Sequence, residues 1–494
     1  MKKNIFIWTL NSMLLLSSCH ESFLSEDVYS SITTVNFYKT EADAKAAVVS
    51  IYNSIQNQNA FKREAWLSSE YPGEAASANK SAVARQELDE FTWNASTTSF
   101  YAVWGGLYNA INRANTVLVN IEQVSFSNPD LKKQLLGETK FLRGLCYLTL
   151  IRFFDHIPCM TEENMQDLYP TNVGTDDAVW QLIISDLEFA ISALPAKQTG
   201  TNTGKATSGA AQTMLVKTYL SMAGYPWNKA EYWKKAADEA TKIMQNSAYG
   251  YALEPVFEKI FLINNEHGSE YIFSLECESQ LGSLGSDIPI LTGIRGGNRF
   301  SLNGWSSVTA EVPFFESMSE TDKRREKTFV LSYPDYRDPE VIYTYPGNIS
   351  LAHFNKLIDP EAFKLTTNTG DLSVNLPITR YADVLLMHSE AENESNGPSQ
   401  AAVQGINMVR ERAGLPALNP SDFTKETLRA AILQERVWEL ALEGHAYFDL
   451  KRTKSMAERI RHLGFNVEDK HYVFPIPQNE MDANTNLEQN KGYQ

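Results

Sequence analysis

The stretch ERVWELALEGHAYFDLKR, residues 435–452, sets Glu435, Glu439 and Glu443 four residues apart, then adds His445 and Asp449 inside an apolar helical pattern. Carboxylates beside a histidine are the usual material of general acid–base catalysis. Their spacing works against that use. Residues four apart share one side of a helix, whereas a glycosidase sets two carboxyl groups on opposite sides of the scissile bond, roughly 5 to 9.5 Å apart. Glutamates on one face point the same way and do not straddle a sugar. Like charges at this spacing repel, and the expected counter-charges are Arg436, three residues before Glu439, together with Lys451 and Arg452 beyond the last apolar turn, where a helix C-terminus favours cations. The stretch therefore reads as part of an ion-paired scaffold. A secreted hydrolase is the lesser alternative, because no HExxH, GxSxG or Cys/His constellation accompanies the carboxylates and the eight histidines are scattered. No catalytic residue, metal or cofactor is expected.

The helix expected to carry these glutamates, 425–448, is one of a series. Apolar residues three and four apart mark helices over 40–56, 101–124, 130–154, 176–194, 208–222, 229–245, 380–393 and 400–413. Pro129 suits a first helical turn, and Thr175 or Asp176 suits a cap. Between 249 and 376 Gly, Pro, Asn and Ser become frequent, and short β-like runs such as 271–276 stand between loops. The fold class is mainly α: helical hairpins of tetratricopeptide-like kind, without a strict period of about 34 residues, flanking a loop-rich insertion. One discontinuous body is expected rather than beads on a string. Its parts are an N-terminal helical scaffold (37–248), the irregular region (249–376), and C-terminal helices with a tail (377–494).

Residues 1–18 read as an export signal: Lys2 and Lys3, an apolar run far shorter than the roughly 20 residues that span a bilayer, then small residues. Leu16-Ser17-Ser18-Cys19 resembles the bacterial lipobox, which implies an acylated Cys19, palmitate-like chains and a linker over 19–36. Such a chain is anchored to a membrane without spanning it. The formal charge is −16, and loss of the two signal lysines would make it two units more negative. That surface repels phosphate backbones, so no nucleic acid is expected as a partner. Past Cys19 only Cys146, Cys159 and Cys277 remain, enough for one disulfide at most. Cys146, inside an apolar helical pattern, is expected to be a buried thiol.

Several strings then converge on one resemblance. Glu435-Arg436, Glu439-Leu440, Glu443-Gly444-His445 and Phe448-Asp449-Leu450-Lys451-Arg452 closely resemble a signature helix of the SusD/RagB family of Bacteroidetes outer-membrane lipoproteins. Trp104, Tyr108, Ile111 and Asn115, Phe141-Leu142-Arg143-Gly144 with Tyr147 and Pro158, and Gly204-Lys205-Ala206-Thr207 are similar to further family strings. So are Arg380 to Glu394, Arg412-Ala413-Gly414-Leu415-Pro416, and the tail from Phe474-Pro475-Ile476-Pro477 to Gly492-Tyr493. Two positions depart from the family pattern. Ala446 stands where the family usually has Arg, which puts an ion pair in doubt. Asp155 stands where Gly is usual, which implies a positive φ at some cost. The resemblance implies a SusD-like fold and a non-enzymatic surface protein that captures oligosaccharides, or peptides in some members. It also implies a partner, a SusC-like TonB-dependent transporter.

A sugar offers apolar C–H faces and hydroxyl rims, so its site wants exposed rings with amides or guanidinium groups around them, on loops held by a rigid scaffold. Loop aromatics that answer this are Trp66, Tyr71, Trp93 with its neighbour Asn94, Phe300 and Trp305. Polar candidates beside them are Asn79, Arg295, Asn298, Arg299 and Asn303. A Trp at a loop edge serves as often to plug the core as to bind. The sequence GIRGG, 293–297, lacks the GK[ST] element of a phosphate loop.

Overall fold

A computed structural model describes residues 37–494 apart from 80–82, 280–283, 295–303, 336–337 and 366–369. Its longer helices are α1 (Glu41–Ile55), α2 (Glu64–Glu70), α3 (Thr98–Asn120), α4 (Pro129–Phe154), α5 (Asp176–Ala193), α6 (Ser208–Ala223), α7 (Glu231–Gln245), α8 (Tyr381–Asn396), α9 (Gln400–Ala413), α10 (Lys425–Leu440) and α11 (Ala446–Arg452). Local chemistry fixes many of their ends. Thr40 and Asp43 form a reciprocal capping box on α1. Asn128 caps α4 with Pro129 in its first turn. Gly414, at φ +75°, ends α9 in the left-handed conformation. Thr175 makes no side-chain cap; its hydroxyl donates instead to the carbonyls of Ile157 and Asn172.

Consecutive helices pack as antiparallel neighbours from α3 through α7, with α1 against α3, and α9 and α10 against α8. The stack does not stop where the helical sequence does. α7 packs directly on α8 although residues 246–380 intervene. Short strands manage the interruption: β1 (Ala76–Ala78), β2 (Tyr271–Leu275), β3 (Val308–Ala310), β4 (Phe329–Val330), β5 (Ser332–Pro334), β6 (Ile342–Thr344), β7 (His353–Phe354) and β8 (Leu376–Arg380). β2 and β8 pair antiparallel, Tyr271 opposite Arg380 and Leu275 opposite Leu376. The loop-rich insertion is thus closed at its base, and its two ends feed neighbouring helices. β1 pairs with β3, β4 with β7 and β5 with β6. A continuous apolar core runs through the helices into the insertion and the tail, with Phe100, Phe153, Tyr447 and Phe474 ring to ring at 4.3–5.0 Å.

The single helix expected over 425–448 is broken. Leu442 and Gly444 have φ of +66° and +79°, so the chain turns between α10 and α11. Asp155 carries the positive φ expected of it, +56°, just past α4. Cys146, Cys159 and Cys277 are all free thiols, the first and last buried. No described helix is long and apolar enough to cross a membrane.

Candidate ligand-binding site

The three glutamates that open the chemical question lie in the interior, each facing cations. Glu435 pairs with Arg324 at 2.7 Å and Arg410 at 2.9 Å. Glu439 meets Arg324 at 3.0 Å and both Arg380 and Arg412 at 2.5 Å. Glu443 meets Lys356 at 2.6 Å and Arg380 at 2.7 Å. These partners come from the insertion, the end of β8 and α9. They are not the cations expected from the same stretch. Arg436 turns to Asp449 at 2.7 Å and Asp383 at 2.9 Å. Lys451 donates to the Arg152 carbonyl and pairs with Asp155, so its charge serves the C-terminus of α4 rather than its own helix. Burial alone would raise the Glu439 carboxyl, but Arg412, Arg380 and Arg324 hold it well below the usual carboxylate range. A carboxylate so placed has neither solvent nor a proton to exchange, which fits a structural and not a catalytic role.

One carboxylate without a signal in the sequence completes this junction. Glu70, 1% exposed at the end of α2, accepts the N–H groups of Leu442 (3.0 Å), Gly444 (2.6 Å) and His445 (3.2 Å). Trp66 donates its indole N–H to the Leu442 carbonyl at 2.8 Å. Trp66 is therefore buried as a clamp on the α10–α11 break, and no ring face remains for a sugar. Ala446 packs beside Gly73, where an added Cβ would come within 2.6 Å of the alanine methyl. No room is left on that side for a longer side chain.

The other loop aromatics divide sharply. Trp93, 3% exposed, is enclosed by Phe91, His471 and Phe474 at 5.0–5.4 Å and donates to the Tyr493 hydroxyl at 2.7 Å. It plugs the core where the tail crosses α3, so the expectation of a binding platform there gives way to packing. Asn94 is exposed beside it, with its side chain accepting from the Ser96 N–H in the turn before α3. Tyr71, 1% exposed, donates to the Ser307 carbonyl at 3.1 Å and supports the loop from beneath.

Trp305 alone among the described tryptophans is exposed, at 43%. Its backbone is held firmly: the N–H groups of Trp305, Ser306 and Ser307 donate to the carbonyls of Ile290, Gly293 and Leu291 at 2.7–2.8 Å. A Cβ on Gly304 would strike the Gly293 backbone, so the close approach of these two segments needs glycine there. The β1–β3 pairing brings Asn79 alongside, its amide donating to the Ser306 carbonyl at 2.9 Å. Among the described residues its side-chain oxygen accepts nothing. The structure thus joins Tyr71, Asn79 and Trp305 from segments more than 200 residues apart and leaves Trp66, Trp93 and Asn94 elsewhere. Arg295, Asn298, Arg299, Phe300 and Asn303 lie outside the described residues.

Two family profiles match the chain, one described as the SusD family over residues 330–493 and one as starch-binding associating with outer membrane over 22–220. SusD-like protein P2 of Formosa agariphila is 28% identical over 97% of this chain and 98% of its own length. The chain belongs to the SusD/RagB family. A SusD-like protein of Bacteroides ovatus is 26% identical over 88% of this chain and 80% of its own. Among solved structures, a SusD homologue of Bacteroides thetaiotaomicron superposes with a TM-score of 0.80 at 22% identity, covering 94% of this chain and 99% of that one. A laminarin-binding SusD-like protein gives 0.77 at 25% identity, over 92% and 100%. The SusD-like fold is therefore common to chains with little sequence in common, and the family is one of binding proteins rather than enzymes.

Proposed function

We propose that this SusD-like chain captures an oligosaccharide at the cell surface and passes it to a SusC-like TonB-dependent transporter of the outer membrane, to which an acylated Cys19 keeps it close. The observation that carries the reading is Trp305, a large ring exposed on a hydrogen-bonded loop beside an amide whose oxygen accepts nothing among the described residues. An exposed indole face stacks on the C–H face of a sugar, and the amide takes a hydroxyl. Arg295, Asn298, Arg299, Phe300 and Asn303, next along the same loop in sequence, would supply the rim and a second ring. The laminarin-binding relative makes laminarin oligosaccharides the first ligands to offer.

Calorimetry of the acyl-free protein against laminarin oligosaccharides, then other oligosaccharides and peptides, tests the reading. Trp305→Ala is expected to weaken the bound ligand about tenfold or more, roughly 1.4 kcal/mol. Unchanged affinity in that variant would sink the site, and binding of peptides alone would replace the glycan. Co-purification of the native lipoprotein with a large β-barrel checks the transporter.

A further inference from the structure

Between the turn before α6, the loop after α7 and the start of β2 lies an open cleft of about 340 Å³ that shares no residue with the Trp305 loop. Small-molecule sites begin at about 300 Å³, so there is room for more than a bare ion. Its charge is one-sided. The chain carries 60 acidic residues against 44 lysines and arginines, yet the described residues that line this cleft include Lys197, Lys205 and His267 and no Asp or Glu. A concave wall of one sign concentrates ions of the other.

The three cationic side chains differ in what already neutralises them. Lys205 stands 3.7 Å from Glu138, and Nε2 of His267 is 3.1 Å from a Glu276 carboxylate oxygen, whose hydrogen bond raises the imidazole above its ordinary value. Neither carboxylate is part of the lining. Lys197 has no anionic partner among the described residues. Its ammonium folds back over Gly250, where an added Cβ would meet Nζ at 2.6 Å, and Gly250 has a φ of +67° that glycine adopts freely. Beside it, the backbone N–H groups of Gly250 and Tyr251 donate to nothing among the described residues. Across the lining, His267 holds a φ of +63°, uncommon for a residue with a side chain, in the turn that Gly268 closes on Asn265. Free donors and an unmatched positive charge therefore meet at Gly250, and the half-buried Tyr251 ring next to them offers a surface for C–H faces. We propose that this cleft binds a saccharide unit bearing one anionic group, a carboxylate or a sulfate ester, with that group held by Lys197 over Gly250. The saccharide rests on the reading above; the anionic group rests on the cleft alone.

Calorimetric titration of the acyl-free protein at low salt with glucuronate, glucose 6-sulfate, glucose and inorganic sulfate tests this. Expected is saturable binding of one or both acidic sugars, with glucose and inorganic sulfate about tenfold weaker or more, and a further loss of about tenfold in Lys197→Ala. The acidic sugar that binds names the anionic group. Its binding persists in Trp305→Ala, whatever the Trp305 loop itself takes, so the two sites stand or fall separately. Failure of both acidic sugars to bind overturns the proposal. Glucose binding as tightly as they do overturns it as well, and so does inorganic sulfate, which would leave an anion site and no sugar. Binding that Lys197→Ala leaves unaltered, or that Trp305→Ala abolishes, puts the acidic sugar elsewhere and overturns it too. Lys197 is exposed, so its truncation leaves the fold intact, and a melt of the variant checks this.

Discussion

Replacing Arg380 by methionine probes what holds the insertion to the helices. The guanidinium is wholly buried, bonds Glu443 through Nε at 2.7 Å and Nη2 at 2.9 Å, donates to the Glu439 carbonyl at 2.7 Å, and pairs with the carboxylates of Glu439 and Glu270. Methionine keeps much of the volume and removes the charge. Three buried carboxylates are then left to share Arg324, Arg412 and Lys356. Breaking a buried pair from one side costs about 3–5 kcal/mol. An unfolding entropy of about 2.1 cal/mol/K per residue makes roughly 1 kcal/mol equal one degree for a chain of this length, so the midpoint should fall about 3–5 °C at pH 7. The sign with pH follows from Glu439. Its folded carboxyl lies below the ordinary value of 4.5, so its contribution is present above that pH and lost as pH falls through the folded value. With Arg380 gone this carboxyl takes up a proton sooner, and the penalty should shrink as pH drops toward 4.5. Calorimetric melts of both proteins at pH 7 and pH 4.5 measure this. A fall below about 1 °C at pH 7, or an equal fall at both, would refute the reasoning.

Trp93→Ala should cost about 3–5 kcal/mol of stability, read as a lowered midpoint, yet leave the affinity for any ligand that Trp305 binds unchanged in calorimetry. Gly405→Ala places a methyl against the Leu385 carbonyl where α8 and α9 touch, so its midpoint should drop about 1–3 °C. Burial pushes the Glu70 carboxyl up to about 7 against the pull of three backbone N–H groups and Lys356. The stability tied to its proton is present below pH 4.5 and lost as pH rises through about 7; Glu70→Gln should flatten that slope in melts taken across the range.

The helices were legible because their signals are local: apolar spacing and the proline at 129. The break at Leu442 was not, because Glu70 and Trp66 reach it from more than 370 residues away in sequence. The same limit separates Trp93 from Trp305. Both stand in polar, loop-like surroundings, and what buries the first is His471, Phe474 and Tyr493 of the tail. The glutamates at 435, 439 and 443 announced ion pairs, while their partners, drawn from Arg324, Lys356, Arg380, Arg410 and Arg412, were visible only once the insertion, β8 and α9 were folded against α10.

The packing of α7 on α8 across the insertion dictates an order of assembly. A chain emerging N-terminus first completes α1 through α7 while the side of α7 that packs on α8 still lacks its neighbour. Closing a loop of such length costs little more than closing a shorter one, since the entropic penalty grows only logarithmically, but it is slow, and the apolar face stays open meanwhile. The C-terminal helices act as the last stone of an arch: until they arrive, the side of α7 they cover stays a surface.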